Sequence, residues 1–150
     1  MANNPSHPKP ADHRPYIETV RVALLLRDIR VGAASFNPGR VRSAAMTLLA
    51  PDEGFDEHWH HTFTSAQFVE LRWNEEDGWS LLALHPADAA LLPTIWHHGF
   101  AVVPAPEKVC TWLALLLTMP GVSSSREDGP YRTHQRRDLA FEASLAAYAL

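Results

Sequence analysis

One stretch constrains the fold of this chain more than any other. Val69, Leu71 and Trp73 alternate with Glu70 and Arg72, and after Asn74-Glu75-Glu76-Asp77-Gly78 an apolar run resumes from Trp79 to Leu84. Such alternation marks a half-buried strand. A short polar loop ending in Asp-Gly joins antiparallel strands. A lone hairpin is marginal in water, so the rest of the chain has to extend and cover it. The turn signal Asn37-Pro38-Gly39 precedes a further expected strand, Val41 to Ala50.

Helical stripes supply the cover. Ile17, Val20 and Leu24 fall at helical spacing behind Pro15, which suits a first helical position, and Gly32 lies just past the stretch as a stop. A helix is therefore expected from Pro15 to Arg30. The alternation Val20, Val22, Leu24, Leu26 is a competing strand pattern, but the segment is long for a strand. Pro106 and Glu107 open a second helix carrying Val109, Trp112, Leu113 and Leu116, and Met119-Pro120-Gly121 ends it. Asp138 caps a last helix from Leu139 to about Ala149, lined by Phe141, Leu145 and Tyr148. Pro86 to Leu92 has room for a short helical turn. Residues 1–14 have nothing large and apolar beyond Met1, so they are expected to be a disordered tail. Polar residues 120–137 are expected to be an exposed linker. The sum is one α+β domain over 15–150, a three-stranded antiparallel sheet with helices packed on one face. A length of 150 residues with 46% hydrophobic composition suits a single domain.

The chain resembles a small actinobacterial family of uncharacterised proteins, domain-of-unknown-function family 6292. The resemblance rests on Pro15-Tyr16-Ile17, on Val69 through Trp79 with its apolar-Leu-x-Trp-Asn-Glu-x-x-Gly-Trp pattern, on Val103-Pro104-Ala105-Pro106, and on Leu139-Ala140-Phe141-Glu142-Ala143 with Leu145 and Tyr148. It spans roughly residues 15–150, and the hairpin is its most specific part. Phe55 to Ser65 is longer and richer in His than the family pattern. Only two lysines, Lys9 and Lys108, beside abundant Ala, Leu, Arg and Pro also suit a GC-rich source. The resemblance implies a fold and a source, and no activity.

Several classes are disfavoured. The longest apolar runs, Trp112 to Leu117 among them, are far below the ~20 residues of a membrane span, and Met1 to Pro10 have no apolar signal core; a cytoplasmic location without membrane association is expected. A net charge of −4 argues against nucleic acid as a partner. The single cysteine, Cys110, excludes an internal disulfide and a cysteine zinc cage, and reads as a buried, inert thiol. Neither a phosphate-binding Gly-rich loop nor a Gly-x-Ser-x-Gly elbow is present. Charge is nonetheless segregated: residues 1–50 carry net +4 and residues 51–90 net −8.

Four histidines are the candidate metal ligands. His58 and His60 share a face of an extended segment, with Asp56 and Glu57 nearby, and His97-His98 form a second doublet. Their best arrangement is Zn²⁺ held by His58, His60 and one of His97 or His98. Trp73 and Trp79, bracketing the turn, are either core or an aromatic pair at a partner surface. Glu75, Glu76 and Asp77 read as a wet turn tip with ordinary acidity. Arg132, His134, Arg136 and Arg137 read as a solvated basic linker. The leading expectation is a non-catalytic interaction or regulatory module without cofactor, with an unknown protein partner. The alternative is a His-ligated zinc protein, possibly a hydrolase. The edge at Val41 to Ala50, where Arg42 is the one charge, leaves two alternatives: a homodimer through that edge, or a monomer whose first helix or 51–65 loop covers it.

Overall fold

Five antiparallel strands, each bonded to its neighbours in sequence, form the sheet of the computed structural model. It describes residues 10–49, 59–64, 66, 68–84, 94–99, 101–120, 132–135 and 138–149. In chain order the elements are α1 (Arg14–Leu26), β1 (Ser35–Asn37), β2 (Ser43–Thr47), a single turn α2 (His61–Thr64), β3 (Phe68–Asn74), β4 (Gly78–Leu84), β5 (Thr94–His97), α3 (Pro106–Thr118) and α4 (Leu139–Ala146). The last helix runs on into a 3₁₀ turn, Ala147–Ala149.

The class is α+β, and among the described residues the sheet has five strands rather than three. The two extra strands are short and lie at the edges. Three and four residues are too few for an alternation to stand out. Their presence also corrects the expected dimer edge. β2 is bonded to β1 on one side and β3 on the other, so its backbone is not free to template a second chain.

The hairpin runs from Phe68↔Leu84 to Asn74↔Gly78, with Trp73 directly opposite Trp79. Asn74 Oδ1 accepts from the backbone N–H of Glu76 (2.9 Å) and Asp77 (2.8 Å), which fixes the turn locally. Gly78 closes it at φ +77°, and a Cβ there would lie 2.8 Å from the Ala101 carbonyl oxygen. Only glycine meets both conditions at low cost.

α1 ends at Leu26, short of Arg30, because Asp28 takes φ +61° and turns the chain back. The N–H groups of Arg27 and Ile29 both bond the Leu24 carbonyl. Ile29 and Val31 then enter the core, and Val31 bridges Leu48 beyond the end of β2. Asp138 caps α4, its Oδ1 accepting the Phe141 N–H at 3.2 Å.

One core joins all of this. Val69, Leu71 and Trp73 of β3 and Trp79, Leu81 and Ala83 of β4 pack with the buried faces of α1, α3 and α4. Tyr16 is the polar hinge of that core. Its hydroxyl donates to the Pro104 carbonyl (2.6 Å) and accepts from the Trp79 indole (3.0 Å), while the Trp73 indole donates to the Val102 carbonyl (2.7 Å). Residues 10–13 belong to the fold too, which corrects the boundary of the expected tail: Ala11 is packed against the core and His13 is 2% exposed. Residues 1–9 lie outside the described residues, as do Pro86 to Leu92 and most of 120–137. Among the described residues, no helix is long and apolar enough to cross a membrane.

Candidate functional site

The chemistry-bearing groups meet at the tip of the hairpin, where the sequence points to a wet turn. Glu75 is 3% exposed. Its carboxylate accepts from Arg42 three times, from the backbone N–H (2.6 Å), Nε (2.9 Å) and Nη2 (3.1 Å), and from Arg132 Nη1 (2.9 Å). Arg42 also donates to both oxygens of Glu142 on α4, at 2.8 and 2.6 Å, and to the Ala11 carbonyl at 2.7 Å. Glu142 Oε1 in turn accepts the Ala11 N–H at 2.7 Å. The Arg132 guanidinium lies 3.8 Å from the centre of the Phe141 ring, and Arg42 lies 5.5 Å from it. One turn residue further, Glu76 accepts from both the backbone and the ring of His134 (2.9 and 2.8 Å).

Two guanidiniums thus face two carboxylates in a space from which water is largely excluded. Burial raises the Glu75 carboxyl, but the bonds from Arg42 and Arg132 outweigh it and bring its pKa down to about 2. Burial opposes ionisation of Glu142 as well, and Arg42 and the Ala11 N–H reverse it, leaving that carboxyl below its ordinary value. Glu76 is lowered by the His134 backbone and ring bonds. All three are carboxylates at neutral pH, so the arrangement is a clamp. It ties the segment before α1, the approach to β2, the hairpin, the segment before α4 and α4 itself into one cluster. Arg132 and His134, expected in a solvated linker, are its outer members.

Arg42 carried a legible signal. It has the parity of Ala44, Met46 and Leu48, all buried, so a strand through them turns Arg42 inward, where a charge needs a partner. The identity of that partner was not legible. Glu142 lies 100 residues away.

The two tryptophans are core residues, correcting the surface-pair reading. Trp73 and Trp79 are each 1% exposed, with both indole N–H groups bonded inside the protein. Cys110 is buried, and burial pushes its thiol up.

The candidate zinc ligands are not brought together among the described residues. His58 lies outside them. His60 is occupied locally, its Nδ1 2.9 Å from the Thr62 hydroxyl and accepting the Thr62 N–H at 3.1 Å. His97 pairs with Ser80 across the β4–β5 ladder. His98, the next residue, is 5% exposed and meets Trp112 edge-on at 5.4 Å. Adjacent residues of an extended chain point to opposite sides, so this doublet does not converge on one ion. Among the described residues, no group of three or more His, Cys, Asp or Glu is placed to hold a metal.

The opposite face of the sheet carries a different surface. The register aligns Ser35, Ala45, Arg72, Ser80 and His97, one from each strand. Arg72 has a side chain 49% exposed, its Nε held by the Glu70 carboxylate. A shallow cleft of about 410 Å³ lies beside it, lined also by Asn37, Ser43 and Asn74.

Fold and clamp together define an α+β domain, a helix-backed antiparallel sheet whose hairpin tip is locked by buried ion pairs. A scan of protein-family models, a search of curated proteins and a search of solved structures each gave no match to the chain.

Proposed function

We propose that this chain is a small non-catalytic interaction or regulatory module of the cytoplasm, a member of the actinobacterial family its hairpin resembles. Its contact surface is the outer face of β1, β2 and β3, and its partner is a protein. The observation that carries this reading is the row across that face. Ser35, Ala45 and Ser80 are short, so they leave the Arg72 side chain standing over a shallow polar floor. Glu70 fixes the guanidinium by Nε, leaving the terminal nitrogens to meet a carboxylate or main-chain carbonyls of a partner segment. The clamp at the hairpin tip, in contrast, spends its charges on one another and serves the fold.

The test is capture of a partner from the native host by the wild-type chain, by Arg72→Glu and by Ala45→Arg. The proposal expects a polypeptide retained by wild type and lost by both variants, with melting temperatures unchanged. Equal retention by all three would contradict it.

A further inference from the structure

Residues 10–13 form a strap over the turn end of the hairpin, and its attachments are unlike those of the core. The strap is held by the Ala11 N–H on Glu142 (2.7 Å), the Ala11 carbonyl under Arg42 (2.7 Å), and the His13 ring. His13 Nε2 is 2.8 Å from the Ser43 carbonyl oxygen. A carbonyl only accepts, so Nε2 carries the hydrogen, and in the neutral ring Nδ1 holds a lone pair. The imidazole is stacked on Trp73 with centroids 5.6 Å apart and planes 20° apart, and it meets Phe36 edge-on at 5.6 Å. His13 is therefore a lid on Trp73.

The charges facing that lid are few. Asp12 of the same segment is engaged by Arg14. Arg42 faces it from the approach to β2, Glu75 from the hairpin, and Glu142 of α4 reaches Ala11. Both glutamates are already paired with Arg42. A proton added at Nδ1 thus puts a new positive charge on a buried ring beside an arginine, facing carboxylates that already have partners. Burial is the main influence on this ring and pushes its pKa below the usual 6.5, with Arg42 acting in the same sense and the Ser43 bond, Asp12 and Glu75 opposing.

We propose that residues 10–13 are a proton-operated strap: uptake of one proton from solvent on the His13 ring releases the segment from Ser43, Arg42 and Glu142 and uncovers the Trp73 ring, while the sheet and helices stay assembled. The core does not hang on the strap. β3 keeps its ladders with β2 and β4, the Trp73 indole keeps its bond to Val102, and Arg42 keeps both glutamates.

The test is an NMR titration of the whole chain from about pH 7.5 to about pH 5, the range in which imidazoles change charge. The expected result is one shared midpoint for the His13 ring, the Ala11 amide and the Trp73 indole N–H, lying below that of an exposed histidine. The Ala11 amide loses protection from exchange there, whereas the Leu71 and Leu81 amides keep theirs. His13→Gln can still donate to Ser43 and His13→Phe can still stack, and neither titrates, so both abolish the step at Ala11 and Trp73. Three results overturn the proposal: a His13 titration with Ala11 unmoved, a step that persists in both variants, or loss of Leu71 and Leu81 protection at the same pH. If neither variant keeps the strap closed at neutral pH, the shared wild-type midpoint decides alone.

Discussion

Replacing Arg42 by alanine tests the clamp at its centre. Among the described residues, Arg42 is the one bonded to Glu75, to Glu142 and to the Ala11 carbonyl. Its removal leaves Glu75 with Arg132 and the backbone N–H of residue 42, Glu142 with the Ala11 N–H, and the Ala11 carbonyl without this donor. The side chains of Arg42 and Glu75 are 9% and 3% exposed, so solvent cannot replace what is lost. Breaking one side of a buried pair costs about 3–5 kcal/mol. Linkage gives a figure of the same order for all the bonds to Glu75 together. Glu75 falls from an ordinary 4.5 to about 2 on folding, which corresponds to roughly 3 kcal/mol. Because the folded carboxyl is the stronger acid, that stability is present above pH 4.5 and is lost as pH falls towards 2. For a chain of 150 residues, a loss of ~3–5 kcal/mol lowers the melting temperature by about 6–20 °C. Urea unfolding of wild type and Arg42→Ala at neutral pH measures it. A difference under about 1 kcal/mol, the worth of a solvated surface pair, would refute the reasoning.

Trp73→Ala should destabilise by about 3–5 kcal/mol in the same urea assay, since it empties a large buried site and strands the Val102 carbonyl. Gly78→Ala should cost more than about 1 kcal/mol by thermal melting, because it strains a positive φ and drives a methyl against the Ala101 carbonyl. Elemental analysis of untagged protein should find well under one equivalent of zinc, and EDTA should leave the melting curve in place. Stoichiometric zinc that is lost in a His58→Ala, His60→Ala double variant would move the functional reading to the metal alternative.

The hairpin was legible because Val69, Leu71 and Trp73 obey a two-residue period next to an Asp-Gly turn, a local signal that needs no knowledge of the rest of the chain. The helix stripes were legible for the same reason. Their ends were less so: Asp28 stops α1 through a backbone conformation that glycine usually supplies. β1 and β5 escaped notice because they are brief and stabilised by pairing rather than by pattern. The strap was hidden by its composition. Ala11 and His13 bury little apolar area, and what holds them is a set of bonds to Ser43, Arg42 and Glu142. The clamp could be suspected from Arg42 alone, yet its members are brought together from separations of 33, 57 and 100 residues. Spacing in sequence carries no trace of such partners, so the acidic tip looked wet.

The most direct measurement is the acidity of Glu75 itself, followed by carboxyl ¹³C chemical shift in a pH titration of the folded chain. The clamp predicts a midpoint at about 2, and a higher one in Arg42→Ala. A midpoint at the ordinary 4.5, unchanged by that substitution, would show a solvated hairpin tip and contradict the account.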